Sequence, residues 1–150
     1  MRQLQNKPVL EASQRELLQE CRVARLATIA ADGRPRLVPV CYALVGDDIA
    51  IAIDEKPKST TELARVRDVR RDPRVTLLVD RYDDADWRRL AWLRLEANAA
   101  VLERGDQWPD ALAALRARYP QYETMRLEER PMLRLTVTRA VAWSAADSSS

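Results

Sequence analysis

The sequence of 150 residues contains no histidine, no phenylalanine, three glycines and two cysteines. Without histidine, a Ser-His-Asp or Cys-His nucleophile pair, a histidine general base and a histidine-ligated metal site are all excluded. Gly33, Gly46 and Gly105 are too far apart to form a dinucleotide-binding fingerprint or a P-loop, which both need glycines at fixed offsets. Cys21 and Cys41 form no CxxC pair and are too few for a four-cysteine zinc site. The commonest side chains of acid–base and metal catalysis are therefore missing.

An excess of charge of one sign is also missing, because 25 basic and 23 acidic residues leave a net charge of +2. This balance gives no support for binding to nucleic acid or to a membrane surface. The longest strongly apolar stretch, residues 37–45, is far shorter than the ~20 residues of a membrane span. No secretory pattern opens the sequence, so we expect a cytoplasmic protein. We predict an N-terminal arm over 1–12, one domain over 13–145 and a flexible tail over 146–150.

Hydrophobic patterns predict three helices and six strands. Ser13, with Glu16 three residues later, indicates a capping box at the start of a first helix over 13–21. Asp32-Gly33 is a turn signal between two strands, and Pro39 in the second strand should lie at an edge, a bulge or a break. Two more helices are predicted over 62–71 and 106–119, and strands over 22–30, 36–45, 49–53, 74–80, 90–102 and 132–143. Tight turns imply antiparallel pairing, so the predicted fold is a mainly β (α+β), six-stranded antiparallel barrel with flanking helices.

Positive charge is concentrated in residues 56–74, where seven basic and three acidic residues give a local charge of +4. Lys56, Lys58, Ser59 and Thr60 lie between a predicted strand and a predicted helix. Ammonium groups, hydroxyls and the free N–H groups of a helix N-terminus together suit a phosphate or carboxylate. A solvated helix face beside a lysine-rich loop is the other interpretation of the same residues.

Arg36 and Trp87 are two further candidates for ligand contact. Arg36 lies near the start of a predicted strand, and alternation puts Val38 on the same face, from which the arginine can reach an anion lying across the sheet. An exposed strand arginine is the alternative. Trp87 follows an acidic loop and can cover a planar ring at the rim of a barrel, or it can be a core or interface residue.

Short segments along residues 13–145 follow one another in a familiar order. They lie at 25–29, 32–35, 39–42, 56–58, 70–80, 82–84, 87–90, 119–122, 137–139 and 143–144. In wording and order they resemble the pyridoxamine 5′-phosphate oxidase-like split β-barrel superfamily, and most closely its branch that uses the deazaflavin coenzyme F420. The resemblance implies an FMN-binding split barrel and a homodimer, with the cofactor in a groove between the subunits.

The resemblance also implies nine cofactor-binding residues. The cofactor phosphate would lie against the basic loop and the helix after it, at Lys56, Lys58, Ser59, Thr60 and Arg65. The ring would lie against Arg36, Val38, Pro39 and Trp87, the tryptophan approaching from the rim or from the partner subunit. At the position of the family's asparagine before the Arg-Arg pair, this chain has Asp68-Val69.

By the same resemblance, the function is an F420-dependent oxidoreductase that transfers a hydride between the deazaflavin ring and a small conjugated or quinone-like substrate. The coenzyme performs the chemistry, which agrees with the missing histidine. An FMN-dependent oxidase or reductase, or a non-enzymatic binder of flavin, F420 or haem, is the alternative. No catalytic residue is predicted; Tyr42, Tyr82 or water can donate a proton. No nucleic acid is expected, because no aromatic stacking platform accompanies the arginines.

Overall fold

The computed structural model describes residues 9–54, 63–106 and 108–148. In these ranges the chain forms one antiparallel sheet, which curls into a half-barrel and is flanked by helices. The strands are β1 (Ala24–Ile29), β2 (Pro35–Val40), β3 (Ala43–Val45), β4 (Asp48–Ala52), β5 (Arg74–Arg81), β6 (Ala91–Leu102) and β7 (Met132–Ser144). The α-helices are α1 (Ala12–Glu20), α2 (Ala64–Arg71), α3 (Pro109–Arg118) and α4 (Ala145–Ser148).

The strands are arranged in the spatial order β2-β1-β5-β6-β7-β4-β3. Within the residues that the structure describes, the β3–β4 hairpin therefore joins the rest of the sheet only through β7, whose first five residues pair with β4. A register shift between Glu96 and Ala97 marks a bulge in the long β6–β7 pair, and a bulge of this kind bends a sheet. The predicted class, a mainly β antiparallel split barrel with flanking helices, is confirmed.

The sheet has seven strands rather than six, because the predicted strand over 36–45 is interrupted. The chain leaves the ladder after Val40 and resumes it at Ala43. Between them the Tyr42 side chain is completely buried, and its hydroxyl donates to the carbonyl oxygen of Leu18. Pro39 lies on the edge strand β2, just before this break. The prediction for Pro39 is confirmed, since an edge strand does not need its missing N–H.

The first helix begins earlier than predicted. Its N-cap is Glu11, whose backbone N–H donates to the side-chain oxygen of Gln14 at 3.0 Å. The capping box predicted at Ser13 and Glu16 is therefore wrong by two residues. The physical reason lies in tertiary packing, because Leu10 is buried in the core immediately before the cap.

Two apolar clusters pack on opposite faces of β4. Ile49 and Ile51 belong to the main cluster inside the curled sheet, as the predicted strand pattern indicated. Ala50 and Ala52 face the other way, into a second cluster with Leu115 of α3. Both faces of β4 are therefore buried, which holds the end of this strand firmly in place. Among the described residues, no helix is long and apolar enough to cross a membrane.

Candidate functional site

A groove of about 190 Å³ lies where the ends of β2 and β4 meet the first turn of α2. Two sequence-predicted site residues, Pro39 and Arg65, lie in its wall. The last described residue before the basic loop, Asp54, also lines it, so the chain enters that loop from the groove. The predicted residues Lys56, Lys58, Ser59 and Thr60 lie outside the described residues. The complete lining is Val23, Pro39, Val40, Cys41, Ala52, Asp54 and Arg65.

The exit from β4 is held by two hydrogen bonds to Asp54. The Tyr122 hydroxyl donates to Asp54 Oδ2 at 2.7 Å, and Arg130 Nη1 donates to the Asp54 carbonyl oxygen at 2.6 Å. Burial, together with the neighbouring Asp54 carboxylate, raises the pKa of Tyr122 far above its ordinary value. Tyr122 therefore remains a proton donor to Asp54 and keeps this wall of the groove in one position.

The three β2 candidates do not share one face of the sheet. Arg36 and Val38 face inward, as alternation predicts, and Val38 packs against the main core. Pro39 lies on the opposite face, where it pairs in register with the exposed Arg25. The structure thus places Pro39 in the groove with Arg65, and Arg36 farther along β2, beside α2.

Arg36 is held by Asp68, which sequence reasoning noted only as a departure from the family pattern. The buried Asp68 carboxylate accepts hydrogen bonds from Thr28 Oγ1 and Arg36 Nε, both at 2.7 Å, and from Arg71 Nη2 at 3.1 Å. Burial alone would raise the pKa of Asp68, but the hydrogen bonds from the two arginines and the threonine outweigh it and lower that pKa below its ordinary value. One carboxylate thus joins β1, β2 and α2.

A signal for Asp68 exists in the sequence. Asp68 lies between Val66 and Val69, which form the predicted apolar line of the helix. An acid beside the buried side of a helix needs a charged or hydrogen-bonding partner. The identity of that partner depends on the fold, because Arg36 and Thr28 come from a distant hairpin.

The structure does not bring Trp87 to the groove. Trp87 begins a short 3-10 turn after β5 and is 65% exposed. Of the two candidate proton donors, Tyr42 has its hydroxyl in the core, bound to backbone carbonyl oxygens. Tyr82 is exposed and donates to Asp84. Within one chain, then, neither Trp87 nor these tyrosines lines the groove.

The outward face of the sheet carries a strip of three exposed apolar side chains, which the charged Arg25 of β1 interrupts between Pro39 and Leu78. Leu37 is 69% exposed and pairs in register with Ala27 of β1. Leu78 of β5 is 37% exposed and lies one row away, opposite Arg25. Pro39 completes the strip on β2 and also reaches the groove. An apolar strip of this kind next to a ligand groove is typical of an interface.

A larger groove of about 620 Å³ runs between α1 and the ends of β6 and β7. It contains none of the sequence-predicted site residues. Four acids, Glu11, Glu16, Glu20 and Asp147, face one arginine in its lining. We favour the smaller groove as the candidate site, since a negative lining would repel the phosphate or carboxylate ligand that the sequence predicts.

Comparison with known proteins decides the family. The pyridoxamine 5′-phosphate oxidase family profile matches residues 10–144. The chain belongs to the pyridoxamine 5′-phosphate oxidase family. No curated protein sequence matches the chain.

Solved structures of other proteins have a similar fold. The protein Rv2991 from Mycobacterium tuberculosis is 25% identical, with a TM-score of 0.73 over 97% of this chain and 91% of that chain. A FAD-binding protein from Mesorhizobium loti is 22% identical, with a TM-score of 0.63 over 89% and 94% of the two chains. The haem storage protein HutZ from Vibrio cholerae is 19% identical, with a TM-score of 0.65 over 90% and 94%. The oxidase-family fold thus accounts for nearly the whole chain.

Proposed function

We propose that the protein is a cytoplasmic F420-dependent oxidoreductase, which transfers a hydride between the deazaflavin ring and a small conjugated or quinone-like substrate. The observation that carries this proposal is the row of arginines that starts at the groove. Arg65 lies in the groove, and Arg71 stands near the other end of the same helix, close to Arg36. A long anionic cofactor tail matches such a row better than a single phosphate does.

The residues of the groove fit part of such a cofactor. Val23, Pro39 and Val40 provide apolar walls for a planar ring, and Arg65 provides a positive charge. The groove's 190 Å³ is below the roughly 300–1,000 Å³ of complete small-molecule sites. We therefore propose that the segment from Lys56 to Thr60 and a second copy of the chain supply the remaining contacts.

The second copy would make the protein a homodimer with the cofactor between its subunits. The exposed strip of Leu37, Leu78 and Pro39 supports this proposal, because it is apolar and borders the groove. Trp87, which does not reach the groove of its own chain, is exposed and available to the partner's groove. The proposed contact of Trp87 with the ring depends on this assembly, and that of Val38 depends on the part of its half-buried side chain that the main core leaves exposed.

The chain's own residues bind and orient the reactants and exclude water from them. When bound, the reduced coenzyme supplies the hydride for the substrate. Apolar walls at Val23 and Val40 would shield a bound ring from water, and the arginines would hold the anionic part of the cofactor. No side chain of this groove is assigned a catalytic role, and water is our proposed proton source.

An FMN- or FAD-dependent enzyme is the second candidate. The similarity to the FAD-binding protein from Mesorhizobium loti supports a flavin in this fold. Haem has less support, even though HutZ is a haem storage protein. The sequence has no histidine to serve as an axial ligand.

A side-by-side titration of purified protein with F420, FMN and haem tests these proposals. We expect F420 to bind more tightly than FMN, with an affinity that falls as salt rises. Oxidation of reduced F420 by a small quinone should then require the protein. Tighter FMN binding would establish the second candidate, and binding of neither flavin nor F420 would contradict both.

A further inference from the structure

Asp68 is the only buried acidic residue among those the structure describes. Its side chain is 3% exposed, whereas those of Arg36 and Arg71 are each 43% exposed. A buried carboxylate is costly unless charged donors and hydrogen bonds compensate it. Here two arginines do so while keeping much of their own surface in solvent. The cluster therefore presents two positive groups outward around one carboxylate that no solvent reaches.

The hydrogen bonds fix which edge of Arg36 faces outward. Arg36 binds Asp68 Oδ2 through Nε. A guanidinium that uses Nε on one side presents its two Nη groups on another, in the fork that suits a phosphate or carboxylate. These Nη groups donate to no residue in the ranges 9–54, 63–106 and 108–148.

Arg36 is also anchored by its place in the sheet. It pairs in register with Thr28, whose hydroxyl binds the same Asp68 oxygen. Arg71 takes the other carboxylate oxygen, Oδ1, and also donates to the backbone carbonyl of Ile29. Both Asp68 oxygens therefore have donors from the protein, and Arg36 is held at Oδ2 together with Thr28.

We propose that Asp68 is a positioning residue, which holds the Arg36 guanidinium so that its Nη edge faces the anionic group of the bound cofactor. This inference rests on the proposed function, in which this surface binds an anionic flavin or deazaflavin. An arginine already fixed in place loses less side-chain freedom on binding, so the anion is bound more tightly. Asp68 touches neither the cofactor nor the substrate and acts only through Arg36.

The test compares two ligands that share a ring but differ in the anionic group. FMN is paired with riboflavin, or F420 with its deazaflavin chromophore lacking the tail, according to which coenzyme the wild type binds more tightly. The measured quantity is the affinity for the ligand with the anionic group divided by the affinity for the ligand without it. We expect Asp68→Asn to lower this ratio by threefold to tenfold and to change the Kd of the ligand without the anionic group by less than twofold. Arg36→Met should lower the ratio as well, and adding Asp68→Asn to it should have no further effect.

Two variants complete the experiment. Arg74→Met removes a positive charge just after α2 that is paired with Asp72, outside the Asp68 cluster, and should leave the ratio unchanged. Arg36→Lys retains the charge but lacks the Nε donor, so it tests orientation even if Asp68→Asn does not fold. We expect Arg36→Lys to lower the ratio nearly as far as Arg36→Met.

The outcomes separate this inference from the proposed function. If the wild type binds neither pair, the proposed function fails and the role of Asp68 fails with it. If the wild type binds one pair but Asp68→Asn weakens both ligands equally, Asp68 is only a structural residue. If Arg36→Lys retains the wild-type ratio, charge alone suffices and the positioning role is overturned.

Discussion

At the scale of single residues, Asp68 shows how one carboxylate can serve both stability and ligand binding. Its partners lie 32 and 40 residues away in sequence, at Arg36 and Thr28. Removing the charge leaves two arginines facing a neutral amide in a site closed to water. The same hydrogen bonds that orient Arg36 therefore also tie α2 to the sheet.

We predict that Asp68→Asn lowers the free energy of unfolding at pH 7 by about 2 kcal/mol, the loss expected for charge-assisted hydrogen bonds to a buried group. The folded-state pKa of Asp68 lies below its ordinary value, so this stability is present above about pH 4 and is lost as pH falls through the folded-state pKa. Urea unfolding of both proteins between pH 3 and pH 7 measures the difference. A difference that is constant over this range would contradict the assignment.

Residues whose positions depend on local geometry were the ones predicted correctly from sequence. Arg36 and Val38 share a face because strand residues alternate, and Pro39 lies at an edge because it lacks an N–H. Asp68 could not be paired with Arg36 in this way, since the pairing depends on how α2 packs on the β1–β2 hairpin. The position of Arg65 beside the groove depends on the packing of α2 against the end of β2, which the sequence does not reveal.

At the scale of elements, the C-terminus of α1 depends on an arginine from another helix. Arg118 at the end of α3 donates to the carbonyl oxygens of Leu18, Gln19 and Cys21. Its guanidinium also lies over the ring of Tyr42, 4.9 Å from the ring centroid. Carbonyl groups at a helix C-terminus have no partner within the helix, so such donors stabilise the end.

We predict that Arg118→Met lowers the free energy of unfolding by about 1–2 kcal/mol and raises amide exchange at the end of α1. Hydrogen exchange measured by mass spectrometry should show this increase in peptides covering residues 17–22. Arg126→Met, which removes a highly exposed arginine paired only with Glu129, is the matched control and should have little effect. Equal exchange in the Arg118 variant and the wild type would show that the cap is unimportant.

The boundaries of elements were harder to predict than their existence. The apolar pattern of residues 36–45 predicts one continuous strand. The structure divides it into β2 and β3, because the chain leaves the sheet between them and buries Tyr42 in the core. The helix over 62–71 was expected from its apolar line, and its C-cap at Asp72, before Pro73, is observed. Segments that follow local rules were thus placed well, while breaks set by tertiary packing were not.

The basic loop before α2 permits a direct test of cofactor binding. We predict that Lys56→Ala combined with Lys58→Ala weakens F420 binding by about tenfold, the equivalent of ~1.4 kcal/mol. The loss should shrink at high salt, because salt screens the attraction between the lysine charges and an anionic cofactor. A fluorescence titration measures it, with Arg126→Met as a control that removes one positive charge outside the candidate site. An unchanged affinity would contradict the assignment of this loop.

At the scale of the whole molecule, the outward face of the sheet determines the expected assembly. Leu37, Pro39 and Leu78 form an exposed strip that Arg25 interrupts, and Pro39 also lines the groove. The proposed cofactor site, half of it from each chain and bordered by such a strip, would form by self-association around a two-fold axis.

We predict that light scattering of the wild type gives twice the mass of one chain and that Leu37→Lys gives the mass of a single chain. A charge at the centre of an apolar interface must lose its hydration without gaining a partner. Ala113→Lys, on an exposed position of α3, is the control and should remain dimeric. F420 affinity should fall with the loss of the dimer, and a wild-type monomer would contradict the shared site.

The position of β7 between β6 and β4 has a consequence for biosynthesis. Among the described strands, β7 is the one that joins the β3–β4 hairpin to the rest of the sheet, and it pairs residue 48 with residue 136, which is translated much later. An isolated two-stranded hairpin is marginally stable in water. The sheet can therefore close only after β7 has left the ribosome, and contacts this distant in sequence make closure slow. A chain that ended before β7 would also leave β3 and β4 without a partner strand. The sheet would then lose three strands, although only one of them is missing from the chain.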